Sequence, residues 1–114
     1  MKGAMTMIFQ AGGAMLELCI LAVLKQEDTY GYKLISRIAK PLGLSESTLY
    51  PVLRRLSKNG YLTVYDQSHD GRNRRYYHLS ASGLAYLTEL ENDWDLFTRT
   101  INEITGKEDT ELHD

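Results

Sequence analysis

The feature that most constrains this chain is a change in its apolar period at Tyr61. Before that point apolar residues recur at helical spacing, from Tyr61 they alternate, and after Gly83 they settle near a 3.5-residue repeat. A first helix is expected from about Met15, where Leu16, Leu18, Cys19, Ile20, Leu21, Val23 and Leu24 are too dense to leave one polar face. Its extension back to residue 7 is weakened by Gly12-Gly13, since Gly costs about 1 kcal/mol relative to Ala in a helix interior. Asp28-Thr29 offers an N-cap for a second helix carrying Tyr32, Leu34, Ile35, Ile38 and Ala39, which Pro41-Leu42-Gly43 ends. Ser45 caps a third, whose Leu49, Val52, Leu53 and Leu56 fall at i, i+3, i+4 and i+7; Asn59-Gly60 supplies a left-handed C-cap. Pro51 conflicts with that helix, because it removes the donor for the Ser47 carbonyl. Either the helix starts late, near Tyr50, or its first turn is distorted.

Tyr61–Tyr65 and Arg75–Leu79 read as strands, and the segment Ser68–Asn73 between them contains the turn signal Asp-Gly, so the pair is expected to form a hairpin. Ser80-Ala81-Ser82-Gly83 opens the last element. Its apolar positions Leu84, Leu87, Leu90, Trp94, Phe97, Ile101 and Ile104 form a coiled-coil-like stripe that needs a partner surface. Gly106 to Asp114 reads as a flexible acidic tail. The expected division is therefore 1–80, 81–105 and 106–114.

At 114 residues one domain with a single core is expected. The longest apolar run, Leu18 to Leu24, is seven residues and far short of the roughly 20 that span a bilayer. No secretory signal is supported, so a cytoplasmic location without membrane contact is the expectation. Cys19 is the only cysteine, which excludes an intramolecular disulfide and a multi-Cys zinc site; its apolar neighbours make it a core residue.

The formal net charge of −2 conceals a strong partition. Residues 33–75 carry nine basic and three acidic groups, +6, whereas residues 76–114 carry two basic and nine acidic groups, −7. Such asymmetry points to a polyanion partner. The order helix, helix, helix, hairpin is that of a winged helix-turn-helix, whose third helix enters the DNA major groove. With its apolar stripe buried, that helix turns Ser47, Tyr50, Arg54 and Lys58 outward with Arg55 on the flank, and the hairpin adds Arg72, Asn73, Arg74 and Arg75. Arg bridges guanine edges or phosphates with two hydrogen bonds, and Ser, Thr, Tyr and Lys reach phosphate oxygens. Because strand neighbours alternate faces, Arg74 and Arg75 should diverge, one toward the DNA backbone and the other toward solvent or an acidic neighbour.

Three segments carry a resemblance: Tyr30-Gly31-Tyr32-Lys33-Leu34-Ile35, the run Leu44 to Leu56 (LSESTLYPVLRRL), and the run Arg72 to Ser80 (RNRRYYHLS). From about Leu16 to Ala85 the chain resembles the PadR family of bacterial transcriptional regulators. The resemblance implies a mainly α winged helix with a small β-hairpin and a long C-terminal dimerisation helix. It implies a homodimeric repressor on a palindromic operator, with Lys33, Ser45 and Thr48 joining the DNA-contacting set, and it makes Pro51 ordinary. One helix after Gly83 is similar to the short type of the family, whose multidrug-sensing members line a flat cavity at the dimer interface with an aromatic. Trp94 stands at the similar position. Met15, Leu18, Leu90, Trp94, Phe97 and Ile101 are thus expected at the dimer interface or against a small planar aromatic or cationic ligand. For Trp94, ligand platform and interface core both remain open, and Asp93 and Asp95 fit either a rim that attracts a cation or a solvated face.

The alternatives are a winged-helix protein–protein adaptor, against which the hairpin arginines argue, and a small-molecule-sequestering protein. His69, His78 and His113 lack metal-like spacing, and no nucleotide loop or catalytic constellation appears. No catalytic residue, metal or cofactor is expected, and no enzyme activity.

Overall fold

The computed structural model describes residues 13–107. In chain order its elements are α1 (Gly13–Gln26), β1 (Thr29–Tyr30), α2 (Gly31–Leu42), α3 (Glu46–Lys58), β2 (Leu62–His69), β3 (Arg72–Leu79) and α4 (Ala81–Thr105). Three helices, a hairpin and a long helix follow in the expected order, in a mainly helical chain with winged-helix topology. The proposed helical extension before Gly13 and most of the acidic tail lie outside the described residues.

The core forms where the three helical stripes meet the first half of α4. Ile20, Leu21, Leu34, Ile35, Leu49, Leu53, Leu56 and Leu87 are fully buried. Each such side chain contributes about 1.5–3 kcal/mol through burial. Cys19 packs partly buried against this cluster, and burial pushes its thiol pKa up, which keeps it protonated and a poor nucleophile.

Two local expectations change. Asp28-Thr29 does not cap α2: the helix starts at Gly31, Tyr30 holds the cap position with no side-chain cap bond, and Thr29 and Tyr30 pair instead with Tyr77 and Tyr76 of β3. A two-residue strand is too short to show a period, and the Asp28 carboxylate is engaged by the hairpin. The sheet is thus three-stranded, in the order β1-β3-β2. The hairpin is also longer than expected. Its register runs from Leu62↔Leu79 to His69↔Arg72, so only Asp70-Gly71 forms the turn. Their φ values of 53° and 76° are both left-handed, as a two-residue type I′ turn requires.

Helix α3 begins at Glu46 and not near Tyr50; Pro51 lies inside it. The Thr48 N–H bonds the Ser45 carbonyl at 3.1 Å, an i to i−3 closure that tightens the first turn. Ser47 and Pro51 are exposed, so water can reach the carbonyl that proline leaves without a helical donor.

Helix α4 is locked at its start. Ser80 Oγ accepts from Gly83 N–H at 3.0 Å and donates to the Gly60 carbonyl at 2.7 Å, while Ser80 N–H reaches the Tyr61 carbonyl at 3.1 Å. Gly83 permits this approach: a Cβ there would stand 2.1 Å from the Tyr61 carbonyl oxygen. Leu87 and Leu90 are buried, but beyond Leu90 no described residue of α4 is buried. Leu96, Phe97, Ile101 and Ile104 are exposed. The apolar stripe is therefore divided between this chain's own core and an outward apolar edge.

Candidate nucleic-acid interface

Burial of Leu49, Val52, Leu53 and Leu56 fixes the rotation of α3 and turns Ser47, Arg54 and Lys58 outward. Arg54 and Lys58 stand one turn apart on the exposed face, with no ion pair to either among the described residues. At the head of the helix Ser45 Oγ lies 2.7 Å from Ser47 Oγ and 3.3 Å from Thr48 Oγ1, a cluster of hydroxyls beside the helix N-terminus. Tyr50 is half-buried against the core on one flank. Lys33 is exposed on the first turn of α2.

Arg55 stands apart from this face. Its Nε and Nη2 donate to Glu17 Oε2 of α1 at 3.3 and 3.2 Å. Glu17 is 8% exposed, and its other oxygen, Oε1, accepts from the Tyr86 hydroxyl of α4 at 2.5 Å. That bond, together with burial, pushes the Tyr86 pKa up to about 12. Tyr86 also stacks on Tyr61, with ring centroids 4.5 Å apart. Neither Glu17 nor Tyr86 stood out in the sequence, where each reads as one residue in a helical pattern.

In the wing, strand alternation separates the arginines as expected. Arg75 is exposed on the face of Asp66, its cross-strand partner. Arg74 is half-buried with its guanidinium carbon 4.3 Å from the Tyr30 ring centroid, a cation–π contact, and its Nε has no hydrogen-bond partner. Arg72 and Asn73 are exposed strand residues beside the turn rather than part of it. Between the start of α2 and β3 lies an open recess of about 310 Å³ lined by residues including Tyr30, Tyr32, Asn73, Arg74 and Arg75.

The scaffold under Arg74 is aromatic. Tyr65 and Tyr76 stack at 5.5 Å, and Tyr30 meets Tyr76 edge-on at 5.7 Å. Asp28 ties both strands at their base, accepting from Tyr65 OH at 2.7 Å and lying 2.9 Å from His78 Nδ1. Burial alone would raise the Asp28 pKa, but the His78 and Tyr65 bonds outweigh it and hold the carboxyl below its ordinary value. The Tyr65 pKa is pushed up, first by that bond to Asp28.

The residues expected at the dimer or ligand surface separate. Leu90, expected at the dimer or ligand surface, is only 7% exposed and packs in the core of its own chain. Met15 and Leu18 are partly buried against that core. Trp94 is half-buried with its ring 5.9 Å from Phe97, and Phe97 and Ile101 are exposed. Among the described residues no cluster of three His, Cys, Asp or Glu could hold a metal, and no helix is long and apolar enough to cross a membrane.

A three-helix unit with an outward basic third helix, followed by an arginine-bearing wing, defines a winged-helix protein of the DNA-binding class. The sequence profile of the transcriptional regulator PadR-like family matches residues 20–89. The chain belongs to that family, whose members are DNA-binding transcriptional regulators and not enzymes. It is similar to an uncharacterized protein of Lysinibacillus sphaericus, 36% identical over 85 residues that cover 69% of this chain and 77% of that protein. Among solved structures it resembles smu.1704 of Streptococcus mutans, with 41% identity, a TM-score of 0.79, and coverage of 83% of this chain and 90% of the other. A PadR-like transcriptional regulator of Bacillus cereus gives 33% identity and a TM-score of 0.73, covering 82% and 93%.

Proposed function

We propose that this regulator is a repressor that binds a palindromic operator as a homodimer. Ser47, Arg54 and Lys58 of α3 face base edges and phosphates, with half-buried Tyr50 on the flank, and Lys33, Ser45 and Thr48 hold the backbone beside them. Arg72 and Asn73 follow the flanking backbone, together with one of Arg74 and Arg75, which stand on opposite faces of β3. The supporting observation is that outward basic residues on α3 and the wing share one chain with an unburied apolar edge on α4, Phe97, Ile101 and Ile104. The first set suits a polyanion and the second suits another copy of the same helix.

In a two-fold dimer the half-sites lie about 34 Å apart, or a multiple of it. A small planar aromatic or cationic ligand seated between the two α4 helices, against Trp94, Phe97, Ile101, Met15 and Leu18, releases the operator if it prefers a different spacing. A ligand indifferent to the two states shifts nothing. Asp93 and Asp95 favour a cation there.

The test is a gel shift on DNA upstream of the protein's own gene, with sedimentation of the free protein. A dimer that retards this fragment more strongly than unrelated DNA supports the reading; a monomer, or equal retardation of all fragments, contradicts it. Quenching of Trp94 fluorescence by planar cationic dyes, with loss of the retarded band, tests the ligand step.

A further inference from the structure

We infer that Glu17 is a positioning residue that sets the orientation of the recognition helix α3 relative to the C-terminal helix α4. This rests on the reading of α3 as the DNA-contacting helix. A carboxylate that is 8% exposed among apolar neighbours is costly unless both oxygens are engaged. Here Oε2 receives Arg55 from α3 and Oε1 receives Tyr86 from α4, at 3.2 and 2.5 Å. The two donors come from different elements, and the residue that joins them belongs to a third. One side chain thus links the helix that reads DNA with the helix whose far half carries the unburied apolar edge.

The link is directional. Arg55 lies next to Arg54 in sequence, but its guanidinium, half exposed, donates to Glu17 and ties α3 to α1. Burial of Leu49, Val52, Leu53 and Leu56 sets which face of α3 is outward, and the two directed hydrogen bonds from Arg55 to Glu17 add a link from that helix to α1. Tyr86 is held from its other side by the stack on Tyr61, the residue just before β2.

The experiment measures binding of full-length protein to the upstream duplex and to an unrelated duplex across a range of salt. The variants are Tyr86→Phe, which removes one hydroxyl, Glu17→Gln, which keeps the shape and removes the charge, and Arg55→Ala. Melting curves establish that each is folded at the assay temperature. The inference predicts that Tyr86→Phe and Glu17→Gln each weaken binding to the upstream duplex about 5- to 10-fold. Binding to the unrelated duplex and the salt slope stay unchanged, because no phosphate contact is lost. Combining Tyr86→Phe with Arg55→Ala should weaken binding less than the product of the two single effects.

The inference is overturned if Tyr86→Phe and Glu17→Gln bind both duplexes as the wild type does while Arg55→Ala lowers the salt slope by about one per protomer. Arg55 would then be a phosphate ligand and Glu17 only its partner in the free protein. It is also overturned if the variants melt at lower temperature but bind unchanged. Failure of the wild type to bind any duplex in a salt-dependent way would refute the DNA reading itself, a result visible before any variant is compared.

Discussion

At the scale of single residues, the outward side chains and the tied ones make different predictions. Arg54→Ala and Lys58→Ala should leave the melting temperature nearly unchanged, and each should lower the slope of log K against log salt by about 0.9 per contact. Anisotropy titrations check both. Gly83→Ala should destabilise by roughly 3 kcal/mol, since the new methyl would meet the Tyr61 carbonyl and Leu79; urea unfolding measures it. Two ionisable groups make stability depend on pH. Asp28, held below its ordinary value, adds stability that is present above about pH 4 and is lost as pH falls through the folded value. Asp28→Asn should flatten that acid limb in melts. Tyr86, raised to about 12, adds stability that is present below about pH 10 and lost as pH rises through 12. In Tyr86→Phe the last tyrosine to ionise should disappear from the ultraviolet titration. Arg54 and Lys58 were legible because burial of a four-residue stripe dictates the opposite face. The Glu17 network was not, because a contact between residues 17, 55 and 86 leaves no mark in local spacing.

At the scale of elements, the period change at Tyr61 was sufficient for the order of helices and hairpin, and Asp70-Gly71 for the place of the turn. What the sequence hid was length. Ser68, His69, Arg72 and Asn73 have turn-like composition, yet they pair in the ladder because the turn needs only two left-handed residues. Gly71→Val should therefore destabilise the wing by about 1–2 kcal/mol, read as faster amide exchange in β2 and β3. Strand β1 was hidden too, since Thr29-Tyr30 is fixed by tertiary pairing with β3 and not by its own pattern. In α4 the 3.5-residue stripe was plain, but its division at Leu90 was not: the pattern is the same whether a residue faces its own core or a partner. Phe97→Asp should make the protein monomeric by sedimentation while leaving its helical signal intact, because Phe97 is half exposed in the single chain.

At the scale of the whole molecule, a net charge of −2 resolves into a basic recognition unit and an acidic C-terminal helix. The +6 segment holds α3 and most of the wing, whereas the −7 segment begins at the end of the wing and includes all of α4. On the proposed reading, phosphate would be attracted to one and repelled by the other, which would orient the chain on a duplex before any base is read. Near-neutral total charge is therefore compatible with the salt-dependent binding that the proposal requires. The most direct test is the salt dependence of anisotropy on the upstream duplex for the wild type and for Arg54→Ala combined with Lys58→Ala. Two charges removed from each protomer of a bound dimer should lower the slope by about 3 to 4 and weaken binding to this duplex. An unchanged slope and affinity would contradict the assignment of α3 as the helix that meets DNA.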